Sequence, residues 1–199
     1  TATGSAKVNG VEIMGLSVTD RARAGLFEAF QYPTVIPGVS LDQLLEEMAM
    51  AAHDAEAFAA RVAAASDHLR MGPFRSRPVN DGLSGGEKKR SEMFQLAVAN
   101  PRLAVLDEID SGLDIDAVRE VAEMVEDLRS PDLGVLLITH YSRILRYMQP
   151  DRVHVMVGGK IVRSGGPEVA EQLEDEGYDD LRGAPSDHGE ASDPLLDLL

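Results

Sequence analysis

Two adjacent carboxylates, Asp107 and Glu108, follow the apolar run Leu103-Ala104-Val105-Leu106. A buried strand that ends this way sets one carboxylate where it can hold Mg²⁺, directly or through water. It sets the next where it can orient or deprotonate an attacking water. Taken alone the pattern is common by chance. Upstream, Leu83-Ser84-Gly85-Gly86-Glu87 puts a serine and two glycines at a helix start. Unobstructed backbone N–H groups and the positive end of the helix dipole suit a phosphate there. A serine cap followed by flexible glycines is the ordinary reading of that pentapeptide by itself, and the two features together carry more than either one.

The elements that must position these residues are legible nearby. Residues 103–106 read as a buried strand, Val118, Val121, Val125 and Leu128 mark a helix, and residues 135–138 form a second buried strand ending at Thr139-His140. Strand, helix and strand at this spacing make a βαβ unit with a parallel sheet, whose ligands gather beyond the carboxyl ends of the strands. Before this unit, residues 7–14 read as strand material with a turn at Asn9-Gly10, Thr19 starts a short polar helix, and residues 25–31 return to an apolar run. Pro33 and Pro37-Gly38 are expected to break the chain before a helix that starts at Leu41 and continues through the Ala-rich residues 49–69. Residues 75–82 read as a loop, and Ser84 opens a helix with an apolar face at Met93, Leu96, Ala97 and Phe94. Gly158-Gly159 signals a hairpin, Pro167 starts a last helix closed by Gly177, and residues 183–199 read as a disordered acidic tail.

Composition bounds the chemistry. The chain has 199 residues, 44% apolar and 27% charged, which is the globular range. With no Cys, it offers no thiolate for zinc or an iron-sulfur cluster. A net charge of −15 argues against nucleic acid and anionic membranes as partners. Residues 168–199 hold only Arg182 against 11 acids, so most of the acidity belongs to the C-terminal segment. No apolar run approaches a spanning helix and no signal pattern opens the chain, so the expected location is cytoplasmic, without direct membrane insertion. Lys88, Lys89 and Arg90 read as a solvated helix face, with nucleotide or partner contact the lesser reading. Among the histidines, His53, His68, His154 and His188 read as structural or solvated residues.

Set in order, these features resemble the ABC-type ATPases. Residues 83–87 resemble the family's LSGGQ signature, with Glu87 in place of the usual Gln, and residues 103–108 its Walker B strand. Phe30-Gln31-Tyr32-Pro33 resembles the Q-loop, Ser111-Gly112-Leu113-Asp114 the D-loop, and Thr139-His140 the switch histidine. Finer wording resembles the SufC family, the ATPases of the Suf iron-sulfur cluster assembly system. It lies at Ile36-Pro37-Gly38-Val39, Gly86-Glu87-Lys88-Lys89-Arg90, Asp110-Ser111-Gly112-Leu113-Asp114-Ile115-Asp116, Thr139-His140-Tyr141 and Val153-His154-Val155. The likeness spans roughly residues 7–181.

The resemblance implies an α/β ABC nucleotide-binding domain with a parallel sheet core and a helical subdomain. Residues 1–33 would carry a partial N-terminal β region and the Q-loop, 34–82 the helical subdomain, and 83–182 the signature, Walker B, D-loop and switch-histidine core. It implies ATP and Mg²⁺ as ligands. Asp107 would support the metal, Glu108 would polarise water, His140 would contact the γ-phosphate, and Gln31 would reach metal and water. Ser84, Gly85 and Gly86 would bind the nucleotide of the opposite subunit in a transient ATP-bound homodimer, with Asp114 at its seam. The implied function is an ATPase subunit working with SufB/SufD-like scaffold proteins. The alternatives are a non-catalytic interaction fragment and the nucleotide-binding subunit of an ABC transporter.

One part of the family's set is not found in these residues. A P-loop, GxxxxGK followed by Ser or Thr, does not occur: the only Gly-Lys pair is Gly159-Lys160, with His154 where the first glycine belongs. The expectation is therefore a chain without the first strand and the P-loop helix, with very weak independent ATP hydrolysis and an uncovered apolar sheet surface.

Overall fold

A computed structural model describes residues 3–52 and 54–176, with side chains through Gln172. The chain opens with an antiparallel hairpin, β1 (Lys7–Val8) and β2 (Val11–Glu12). Asn9 at φ 50° and Gly10 at φ 78° give the left-handed pair that a two-residue hairpin turn demands. Helix α1 (Val18–Arg23), capped by Ser17, leads into β3 (Leu26–Ala29).

Strand β4 (Ile36–Ser40) runs through Pro37-Gly38, where the sequence led us to expect a break. It pairs with β5 (Pro78–Val79) inside the stretch expected to be loop, with a register shift between Ile36 and Ser40. The proline is tolerated because a short two-stranded ribbon with an irregular register leaves its missing N–H without a required partner. The long Ala-rich helix is also corrected: α2 (Leu41–Ala51) ends before Asp54, whose side chain accepts from the Ala57 N–H and starts α3 (Ala55–His68) anew. A carboxylate N-cap outcompetes helix continuation because it satisfies donors that a new first turn leaves open. A 3-10 turn at Gly72–Phe74 follows.

Helix α4 (Gly85–Ala99) precedes β6 (Leu103–Asp107), and α5 (Ile115–Asp127) connects it to β7 (Gly134–Ile138). The three-stranded sheet β3-β6-β7 is parallel throughout, with Ala29 opposite Leu106 and Asp107 opposite Ile138. The βαβ unit is as the sequence spacing predicts. On α5, Val118, Val121, Ala122 and Val125 recur at helical spacing and are buried, while Arg119, Glu120 and Glu123 face out. Helix α4 is buried more evenly: Met93, Phe94, Leu96 and Val98 are at most 1% exposed, and it packs on α3, α5 and β3.

Strand β7 departs from its expected burial. Val135 and Leu137 face the core, but Leu136 and Ile138 are 39% and 43% exposed, on the face they share with Leu103 and Val105. Leu136 and Ile138 thus lie on the less buried face, and among the described residues β6 is the one hydrogen-bonded neighbour of β7. After a 3-10 turn at Ser142–Arg146, β8 (Val153–Val157) and β9 (Lys160–Gly165) form a hairpin over Gly158-Gly159, and α6 (Glu168–Glu176) follows. The expected closure at Gly177, the tail at 183–199, His53 and His188 lie outside the described residues.

Candidate functional site

All three parallel strands deliver a polar residue at their carboxyl ends, as the parallel topology requires. Gln31 lies two residues past β3, Asp107-Glu108 at the end of β6, and His140 two residues past β7. The side chains of Gln31, Glu108 and His140 meet. Gln31 Nε2 donates to Glu108 Oε2, and His140 Nε2 lies 2.7 Å from Glu108 Oε1. The Glu108 side chain is 18% exposed and that of His140 75%, so the pair forms the rim of an open site.

Glu108 reaches this position by leaving strand geometry. Its φ is 45°, in the left-handed region that non-glycine residues avoid, while its N–H still bonds Ile138 O at 2.9 Å. The backbone thus keeps one more sheet bond and turns the side chain out of the strand's alternation. The following residues are tied down as well. Asp110, fully buried, accepts from Thr139 Oγ1 at 3.1 Å on both oxygens, and Arg143 donates to the carbonyls of Asp110 and Leu113 at 3.1 and 3.2 Å. These contacts join the loop after β6 to the loop after β7.

Ser84, Gly85 and Gly86 belong to a separate surface. Ser84 caps α4 in a reciprocal box: its Oγ accepts from the Glu87 N–H at 3.3 Å, and Glu87 Oε2 accepts from the Ser84 N–H at 2.7 Å. The hydrogen bond from the Ser84 backbone, then that from its side chain, lowers the Glu87 pKa below the ordinary carboxylate value. Glu87 therefore makes the box that a Gln would also make, while adding charge at a helix start. The N–H groups of Gly85 and Gly86 form no hydrogen bond among the described residues. A Cβ on Gly85 would lie 3.4 Å from Leu113 Cδ2, so the signature-like start of α4 packs against the segment that leads into α5. Asp114, placed by resemblance at a dimer seam, caps α5, with Oδ1 accepting from the Ala117 N–H at 2.8 Å.

Two of the three bases at 88–90 are not on a solvated face. Lys89 is 2% exposed and paired with buried Glu92 at 3.0 Å, while Arg90 bridges to Glu120 on α5 at 2.5 Å. Burial raises the Glu92 pKa above the ordinary value, against the opposing pull of Lys89. The signal that could have found this pair is the carboxylate three residues after Lys89, set among Met93, Phe94 and Leu96. His68 bonds Asp127 and His154 bonds Ser164, both apart from the cluster.

The donor set can be tested against Mg²⁺. No group of three or more His, Asp or Glu side chains converges as a metal site among the described residues. Mg²⁺ is commonly held through one or two carboxylates and substrate phosphates rather than by an all-protein cage. Asp107 is half-buried at the strand end with no hydrogen bond to its carboxylate among the described residues, and Gln31 spends its NH₂ on Glu108, leaving its amide oxygen. These residues fit a Mg²⁺ that arrives with a phosphate and do not fit one held by protein alone.

Comparison with known proteins bears on the family and the fold. A family model described as ABC transporter matches residues 1–111. A probable ATP-dependent transporter, slr0075 of Synechocystis, is 49% identical over 186 residues, covering 86% of this chain and 71% of its own length. Vegetative protein 296 of Bacillus subtilis is 44% identical over 183 residues, covering 88% and 70%. Among solved structures, the ADP conformation of MJ1267, an ATP-binding cassette of an ABC transporter, superposes with a TM-score of 0.69 at 20% identity, covering 88% of this chain and 74% of that one. The cbiO1 protein of Clostridium perfringens, part of the transporter complex cbiONQ, gives a TM-score of 0.66 at 21% identity, covering 84% and 68%. Among the described residues no helix is long and apolar enough to cross a membrane.

Proposed function

The chain belongs to the ABC transporter family of ATP-binding proteins, and from that premise we propose that it contributes the water-activating half of an ATP hydrolysis site and a signature surface for a second subunit's nucleotide. The observation that carries this reading is the meeting of Gln31, Glu108 and His140 from three separate strand ends. Glu108 is the general base: its carboxylate takes a proton from the attacking water at an oxygen that Gln31 or His140 orients. Gln31 donates to that carboxylate and fixes its plane, and exposed His140 stands where a terminal phosphate would approach the pair. Asp107 and the Gln31 amide oxygen would hold Mg²⁺, which supplies charge neutralisation to the phosphates when bound. Ser84, Gly85 and Gly86 offer helix-start N–H groups to the nucleotide of the facing subunit, so dimerisation and ATP binding are one event.

The relatives' names favour a transporter's ATP-binding subunit, working with a membrane permease. A second reading, a SufC-like ATPase working with a SufB/SufD-like scaffold, is favoured by the wording at Gly86-Glu87-Lys88-Lys89-Arg90 and across residues 110–116. Co-purification with a permease or with such a scaffold separates the two.

The test of the shared reading uses these residues joined to a P-loop strand and helix from another family member. There, Glu108→Gln is expected to lower ATP turnover by at least about 10²-fold while ATP-dependent dimerisation persists. Ordinary turnover in Glu108→Gln would remove Glu108 from this role.

A further inference from the structure

We infer that Lys89 and Glu92 of α4 are positioning residues: they grip the backbone at Phe30 and Gln31 and so seat the Gln31 amide against Glu108. The pair is an internal one, three residues apart on one helix, with side chains 3% and 7% exposed. Desolvating two charges is costly unless their remaining hydrogen-bonding capacity is filled. All of that filling comes from one place. The Lys89 ammonium has three donors, and they go to Phe30 O at 2.5 Å, Gln31 O at 3.2 Å and Glu92 Oε2 at 3.0 Å. The other Glu92 oxygen accepts from the Phe30 N–H at 3.1 Å.

Phe30 and Gln31 need such a grip. Strand β3 ends at Ala29, its last register partner on β6 being Leu106, so neither residue has a ladder bond. Nor does side-chain burial fix the segment, since Phe30 and Tyr32 are 47% and 78% exposed. The helix that begins at the signature surface therefore also carries the anchor of Gln31, and a movement of α4 against the sheet carries Gln31 with it. The mechanistic meaning of this rests on the reading of Gln31 and Glu108 given above, while the grip itself does not.

The experiment uses the 199-residue chain without nucleotide, with amide hydrogen exchange at Phe30 and the side-chain amide resonances of Gln31 as readouts. In Lys89→Met/Glu92→Leu, Phe30 exchange should rise by about tenfold or more and the Gln31 side-chain resonances should move toward those of a solvated glutamine. The milder Lys89→Met/Glu92→Gln keeps an acceptor for the Phe30 N–H, so Phe30 should stay protected while Gln31 still shifts. Val98→Ala, a core change on the same helix, should lower the unfolding midpoint and leave both readouts in place. Unchanged Gln31 resonances in the milder variant, or Phe30 protection retained in the apolar one, would reduce the pair to ordinary packing and overturn the inference. Failure of the Glu108→Gln turnover test would instead sink the hydrolysis reading and leave these measurements untouched.

Discussion

Glu108 holds a left-handed backbone conformation, φ 45°, at the point where sheet geometry stops and chemistry begins. Such a residue costs roughly 1–2 kcal/mol relative to one in an allowed region, and the cost is offset by what the turned side chain meets, Gln31 and His140. A direct consequence is that Glu108→Gly should be more stable than Glu108→Ala by about 1 kcal/mol, since glycine alone is free of the Cβ penalty there. Urea unfolding of the two variants measures this, and an Ala variant equal to or above Gly would contradict it. At this scale the place of Asp107, Glu108 and His140 at strand ends was legible from the apolar runs before them, while Gln31 came only with the resemblance. The sequence misled at Lys89, read as part of a solvated face. Its type suggests solvent, and only the three-dimensional meeting of α4 with the end of β3 supplies the backbone oxygens that let an ammonium be buried.

Capping decides where several elements begin. Asp114 closes the first turn of α5 through the Ala117 N–H. Asp114→Ala should therefore lower the stability of the single chain by about 1 kcal/mol, and Asp114→Asn by much less, because Asn caps as well as Asp does. Equal unfolding midpoints for wild type and Asp114→Ala would show that the cap does not hold α5 in place. Caps also explain what was hard to read in advance. The start at Ser84 was legible because serine, glycines and Glu87 compose a capping box, whereas Asp54 interrupts an Ala-rich stretch whose helix propensity is otherwise unbroken. Pro37-Gly38 misled for the opposite reason: breakers are compatible with a strand when that strand is short, irregular and paired on one side.

At the scale of the molecule, the β6-β7 pair has, among the described residues, a buried face with Ala104 and Leu106 and a more exposed one. Leu136 and Ile138 stand half-exposed on the latter, and the outer edge of β7 carries unpaired backbone groups among the described residues. Exposed apolar faces and free strand edges associate, so the 199-residue chain should self-associate in solution. Leu136→Thr/Ile138→Thr keeps strand-forming branched side chains while removing apolar surface. Sedimentation should show less association for it than for the parent, with the circular dichroism of the fold retained. Undiminished association would place the sticky surface elsewhere. The exposure of Leu136 and Ile138 was not legible in an unbroken apolar run, and the parallel order β3-β6-β7 was legible only in its β6-β7 half. The β3-β6 pairing had no local signal, because its two strands are far apart in the chain.

That separation bears on how the chain is made. The hydrogen bond between Gln31 and Glu108 spans 77 residues, with α2, α3 and α4 all lying between them. On a ribosome that builds from the N-terminus, β3 waits unpartnered until β6 has emerged, and the entropy of closing so long a span must be met before any pairing rewards it. Pairing of β3 with β6 is what brings Gln31 to Glu108, so a nascent chain halted before residue 103, lacking β6, has no trace of that cluster.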